Sequence, residues 1–162
     1  MSQTDEGQPA AVKPAARVTP RAVIAWLPRV GLGALFVAAG ASKLRDPAGL
    51  AQEISNYQLF TSAAPYLAIA LPAAEIVAGL ALLLGPRPWR AAGAAAIALF
   101  LVMFTGAVVW ALLRGLDIDC ACFGTGSGSV TWLTFGRNAI LLVAAAIVLR
   151  FESATRKPRA GD

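Results

Sequence analysis

Read for hydropathy, the chain alternates long apolar runs with short polar punctuation. The runs extend from about Ala22 to Ser42, Ala63 to Gly85, Ala91 to Leu113 and Thr131 to Leu149. Each holds about 20 residues, the length at which a helix crosses a hydrocarbon core of roughly 30 Å. Backbone groups in hydrocarbon must satisfy one another within the segment, so the pattern predicts an all-α, integral membrane four-helix bundle. The connection from Pro86 to Arg90 is short enough to force spans two and three to be antiparallel neighbours. Between spans one and two, Asp46 and Pro47 form an N-cap and first-turn pair. Leu50, Ile54 and Tyr57 then recur at i, i+4 and i+7, the stripe of an amphipathic helix too short to span and suited to the interface.

Composition agrees with this partition. Of 162 residues, 57% are hydrophobic and 14% charged, against roughly 45 to 50% and about 25% in ordinary globular chains. That excludes a disordered regulator, and two cysteines exclude a disulfide-stapled scaffold. Residues 1–21 are polar and proline-bearing and are expected to form a disordered cytoplasmic tail. Residues 22–151 form the membrane domain and 152–162 a C-terminal cytoplasmic tail. Ala39-Gly40-Ala41 has the small-residue pattern of a signal-peptidase site, but the run's length and internal Arg29 favour a retained span.

The net charge of +5 sits beside the apolar runs, so nucleic acid is not an expected partner and the lipid bilayer is. Nine Lys and Arg fall in the first 21 residues, the second loop and the stretch after Leu149, against three (Lys43, Arg45 and Arg114) in loops one and three. Basic residues favour the cytoplasmic side, which predicts both termini inside and the first and third loops outside. Nothing in the pattern fixes an oligomeric state.

The third loop, RGLDIDCACFGTGSGSV, carries the only cysteines, Cys120 and Cys122. Two thiolates supply half of a tetrahedral metal site and the chain has no histidine to complete it, so no metal site is assigned. A permanent bridge across one residue closes too small a loop to stabilise much. A reversible disulfide suits the pair better, because a bent, exposed bridge exchanges readily and an outward position lets it persist. Static bridge and shared metal stay open as alternatives. Gly124, Gly126 and Gly128 give the following segment conformational freedom for a partner thiol's approach.

Three charges fall inside the spans: Arg29, Glu75 and Arg137. Such groups are costly at bilayer depth and point to pairing or function. Counted along the helices, Glu75 lies near the midplane between the two arginines in height, within reach of either. With Asn138 and Lys43 they are candidates for a polar pocket that takes a proton, a quinone-like molecule or a partner's side chain, or that locks the helices in register. Gly31, Gly33, Gly40, Ser42, Gly79 and Gly93 are expected to permit close helix contact. Phe100, Phe104, Trp110 and Trp132 read as lipid or interface anchors.

Several of these residues stand in a telling order. Arg29-x-Gly31-x-Gly33 is followed by Ala39-Gly40-x-x-Lys43 with Asp46-Pro47, then by Pro72-x-x-Glu75-x-x-x-Gly79. Asp119-Cys120-x-Cys122-Phe123-Gly124 and Arg137-Asn138 complete the series. From about Ala22 to Phe151 the chain resembles the methylamine utilisation protein MauE family within the DoxX-like membrane proteins. Ala121 departs from the glycine more usual between those cysteines. The resemblance implies a bacterial four-helix protein of the inner, cytoplasmic membrane that handles thiols and disulfides outside the cytoplasm. It also implies a thioredoxin-like partner, in support of the maturation of exported proteins.

Overall fold

The computed structural model describes residues 20–116 and 132–154, with side chains from Trp26 to Leu116 and from Trp132 to Glu152. Helix α1 runs Pro20–Lys43, α2 Pro47–Asn56, α3 Ala64–Leu84, α4 Arg87–Arg114 and α5 Trp132–Ala154, with a single 3-10 turn at Thr61–Ala63. No strand occurs among the described residues. Both predicted tails lie largely outside them.

The segments Thr61–Leu84, Arg87–Arg114 and Trp132–Glu152 are each long and apolar enough to cross a membrane. Over its described side chains, Trp26–Lys43, α1 meets the same test together with Pro47–Asn56, across a bend of 99°. The architecture is therefore a multi-pass membrane bundle of three to four spans, with α2 turned across its end. Large apolar side chains such as Ile69, Leu84, Leu99 and Ile140 are exposed, as lipid-facing positions should be.

Helices α4 and α5 outrun the apolar runs that announced them. Pro86 precedes α4 and Pro88 stands in its first turn, where a missing N–H costs nothing. Arg150 and Glu152 extend α5 as a polar last turn. Asp46 caps α2 as expected, its Oδ1 accepting the Gly49 N–H at 2.9 Å, with Pro47 in the first turn.

The four long helices pack as a ring, α1 on α3, α3 on α4, α4 on α5 and α5 back on α1, while α2 rests on α3. Leu32 and Phe36 meet Leu82, Ile97, Leu101 and Val148 at the centre. The seam between α1 and α3 is backbone on backbone. A Cβ on Gly79 would stand 2.7 Å from the Gly33 carbonyl oxygen, and one on Gly40 would stand 2.7 Å from that of Pro72. Gly93 seats α4 on α3 in the same way, 2.7 Å from the Ala78 oxygen. The expectation for Gly31 fails: it is exposed, and a Cβ there would meet nothing within 4 Å.

Candidate functional site

The glycine seam fixes what faces Glu75. Because Gly40 has no side chain, α1 settles onto the Pro72 to Ile76 turn of α3, with the Gly40 Cβ position only 3.3 Å from that of Glu75. Lys43 follows one turn later. Helical side chains slant toward the N-terminus, so the long Lys43 arm folds back along α1. Its Nζ donates to Glu75 Oε1 at 2.5 Å, with the two side chains 4% and 1% exposed. Lys43 Nζ also lies 4.8 Å from the ring centroid of Phe104 on α4, a cation on an aromatic face. Phe36, Phe100 and Phe104 form a stacked series behind it, with centroids 6.4 and 6.2 Å apart.

Lys43 is thus a correction to the sequence count, which placed it in a loop; it ends α1 and is buried. Glu75 takes this lysine and neither of the arginines counted above and below it, because the rotation of the helices decides the partner. Arg29 instead approaches Glu152 at 3.9 Å, and Arg90 approaches the same carboxylate at 3.6 Å. Arg137 is exposed on the first turns of α5 and does not line the cavity beside Glu75. Asn138, its neighbour, is 3% exposed and does line it. Of the predicted pocket residues, the fold brings together Lys43, Glu75 and Asn138.

That cavity is small, about 20 Å³, and lies between α1, α3, α4 and α5. Glu75 Oε2 and Asn138 Nδ2 are both buried without a hydrogen-bond partner. An acceptor and a donor at one cavity large enough for a single water are the setting in which a bridging water satisfies both groups.

A second, larger cleft of about 530 Å³ opens on the other side of the same residues. Leu50 and Ile54 of α2 and Tyr57 at its C-terminal cap roof it, Leu67 and Leu71 of α3 form one wall, and Met103, Phe104 and Gly106 to Val108 of α4 form the other. It lies toward the end of the α3–α4 pair away from the close approach at Gly93. Lys43 and Phe104 line both spaces and so make the partition between them. Phe104 is accordingly part of the site, where the sequence suggested a lipid anchor. Its signal was the spacing that stacks it on Phe100, one helical turn away.

The predicted cysteines, Cys120 and Cys122, lie outside the described residues. The helix ends that flank their segment are defined. Gly115 closes α4 with a positive φ of 64°, a conformation glycine adopts without a steric penalty. Arg114 stacks over Trp110 at 4.2 Å. Tyr57, Leu116 and Phe135 pack around Val108 and Ala111, tying these ends to the end of α2 and the mouth of the cleft. Trp132 meets Phe135 edge to face, with centroids 6.2 Å apart.

An apolar-sided ring of helices around a buried lysine–glutamate pair defines an integral membrane protein with a polar centre. The comparisons make the class particular. The chain belongs to the family described as methylamine utilisation protein MauE, whose model matches residues 21–151. It is 36% identical over 129 residues to the methylamine utilization protein MauE of Paracoccus denitrificans, covering 78% of this chain and 68% of that protein. No solved structure matches it.

Proposed function

We propose that this chain is a thiol–disulfide electron-transfer protein of the bacterial cytoplasmic membrane, with Cys120 and Cys122 cycling between dithiol and disulfide. The observation that carries the reading is the Cys-x-Cys pair itself. These are the chain's only cysteines, one residue apart, in the segment joining α4 to α5. The partner is an extracytoplasmic thioredoxin-like protein. In the exchange, a thiolate of one protein attacks the disulfide of the other and forms a mixed disulfide. The second thiolate of the attacking pair then displaces it, so one pair loses two electrons and two protons and the other gains them.

The orientation belongs to the same proposal. With Lys43 assigned to the bundle, nine basic residues remain on the side of the tails against Arg45 and Arg114 on the other, which favours the cysteine segment outside. The relative's name ties that protein to methylamine utilisation.

The experiment combines Cys120→Ser and Cys122→Ser variants with differential thiol labelling of intact cells. One variant should accumulate a mixed disulfide, and an impermeant reagent should reach the pair. The reading falls if neither variant traps a partner and the wild-type pair never changes redox state. A double Cys→Ser variant that retains its partner and its effect on exported clients would instead mark an anchoring subunit.

A further inference from the structure

We propose that the 530 Å³ cleft between α2, α3 and α4 is a binding site for an isoprenoid quinone, with Lys43 as hydrogen-bond donor to its ring carbonyl. The proposal rests on the thiol–disulfide reading for its chemistry and on four features of the cleft for its ligand.

The first is composition. Among the described residues lining the cleft, Lys43 is the one charged group, and Tyr57 supplies the other polar side-chain atom. Ligand sites of roughly 300 to 1,000 Å³ are mostly apolar with a few polar groups that orient the ligand, and this space fits that description. The second is the donor. An ammonium carries three N–H groups. One is given to Glu75 Oε1, and Lys43 borders the cleft as well as the small cavity on the Glu75 side. The Phe104 ring beside it offers a flat wall to a flat ring.

The third is depth. Glu75 stands eleven residues into α3, about 16 Å along its axis at 1.5 Å per residue. The Lys43 ammonium, bonded to it, is therefore near mid-membrane. A phospholipid phosphate or a fatty-acid carboxylate belongs at the water interface. A neutral carbonyl on a hydrophobic chain can be carried down to this level.

The fourth is Gly106. Helix α4 places it in the cleft wall, where a Cβ would meet nothing within 4 Å. It therefore serves no helix contact of the kind made by Gly93. A mid-helix glycine is disfavoured relative to alanine, and here its missing side chain keeps the wall of the cleft clear.

The step balances without a metal. The Cys120 and Cys122 thiols lose two protons and two electrons as the S–S bond forms. The quinone takes both pairs and becomes the quinol, each carbonyl oxygen gaining a proton. A lysine N–H at a carbonyl stabilises the negative charge that develops on that oxygen during reduction.

The test uses the full chain in nanodiscs and decylubiquinone as probe, with binding read by calorimetry. Wild type should bind saturably. Gly106→Phe should weaken binding at least tenfold, while Gly31→Phe, equally open but away from the cleft, should leave it unchanged. Lys43→Met should also weaken binding, and the Gly106 variant keeps the test decisive where Lys43→Met disturbs the fold. The double Cys→Ser variant should bind like wild type. Absent saturable binding, binding indifferent to Gly106→Phe, or displacement by equimolar oleate would each overturn the proposal, the last marking an acyl-chain groove. Partner trapping without quinone binding sinks this site alone. Quinone binding without any thiol exchange supports the site and sinks the redox reading.

Discussion

Separating Lys43 from Glu75 is the most severe single perturbation the structure offers. Lys43→Met keeps the length and apolar bulk of the side chain but strands a carboxylate that is 1% exposed. Removing one member of a buried pair typically costs about 3 to 5 kcal/mol, because the remaining charge stays desolvated and uncompensated. Replacing both members by apolar or neutral groups of similar size is often close to neutral. Lys43→Met should therefore be strongly destabilising, while Lys43→Met combined with Glu75→Gln should return to within about 2 kcal/mol of wild type, since the glutamine can keep a water between itself and Asn138. For a chain of this size, about 2 to 4 °C per kcal/mol places the single variant roughly 6 to 20 °C below wild type. Thermal unfolding in nanodiscs, followed by near-ultraviolet circular dichroism, reads the full cycle. A loss under about 1 kcal/mol for Lys43→Met, or losses that simply add in the double variant, would refute the claim that this pair is buried and coupled.

Two other expectations follow from particular contacts. Gly79→Ala should destabilise the bundle by about 1 to 3 kcal/mol through overpacking against the Gly33 carbonyl, whereas Gly31→Ala should be neutral or stabilising by up to about 1 kcal/mol; paired unfolding curves check both. Asp46→Ala should cost about 1 kcal/mol, appearing as faster amide exchange confined to the first turn of α2, where the Gly49 N–H loses its acceptor.

The spans, the α2 cap and the Leu50, Ile54 and Tyr57 stripe were legible because each depends on local periodicity or on one turn of backbone. The partner of Glu75 was not. Height along a helix can be counted, but rotation about its axis is set by the α1–α3 seam, and that seam turns Lys43 inward. Lys43 was further obscured by standing one residue beyond the apolar run. Glu152 drew no attention for a similar reason: it lies past the last apolar run, and only the ring closure brings Arg29 and Arg90 to one carboxylate. The cleft had no sequence signal of its own beyond Gly106, since it is formed by residues of three separate helices brought together only by the fold.

The buried pair also bears on how the protein is built. Lys43 emerges from the ribosome 32 residues ahead of Glu75. Its helix carries Arg29 and Lys43 and no carboxylate of its own. During synthesis α1 therefore reaches the translocon carrying an ammonium whose counter-charge has not yet been made. Lateral release of α1 into lipid is best timed to the arrival of α3, so that the two helices leave as a hairpin with the glycine seam closed and the charges joined. In this order of events, the α1–α3 interface acts as an internal chaperone for membrane insertion.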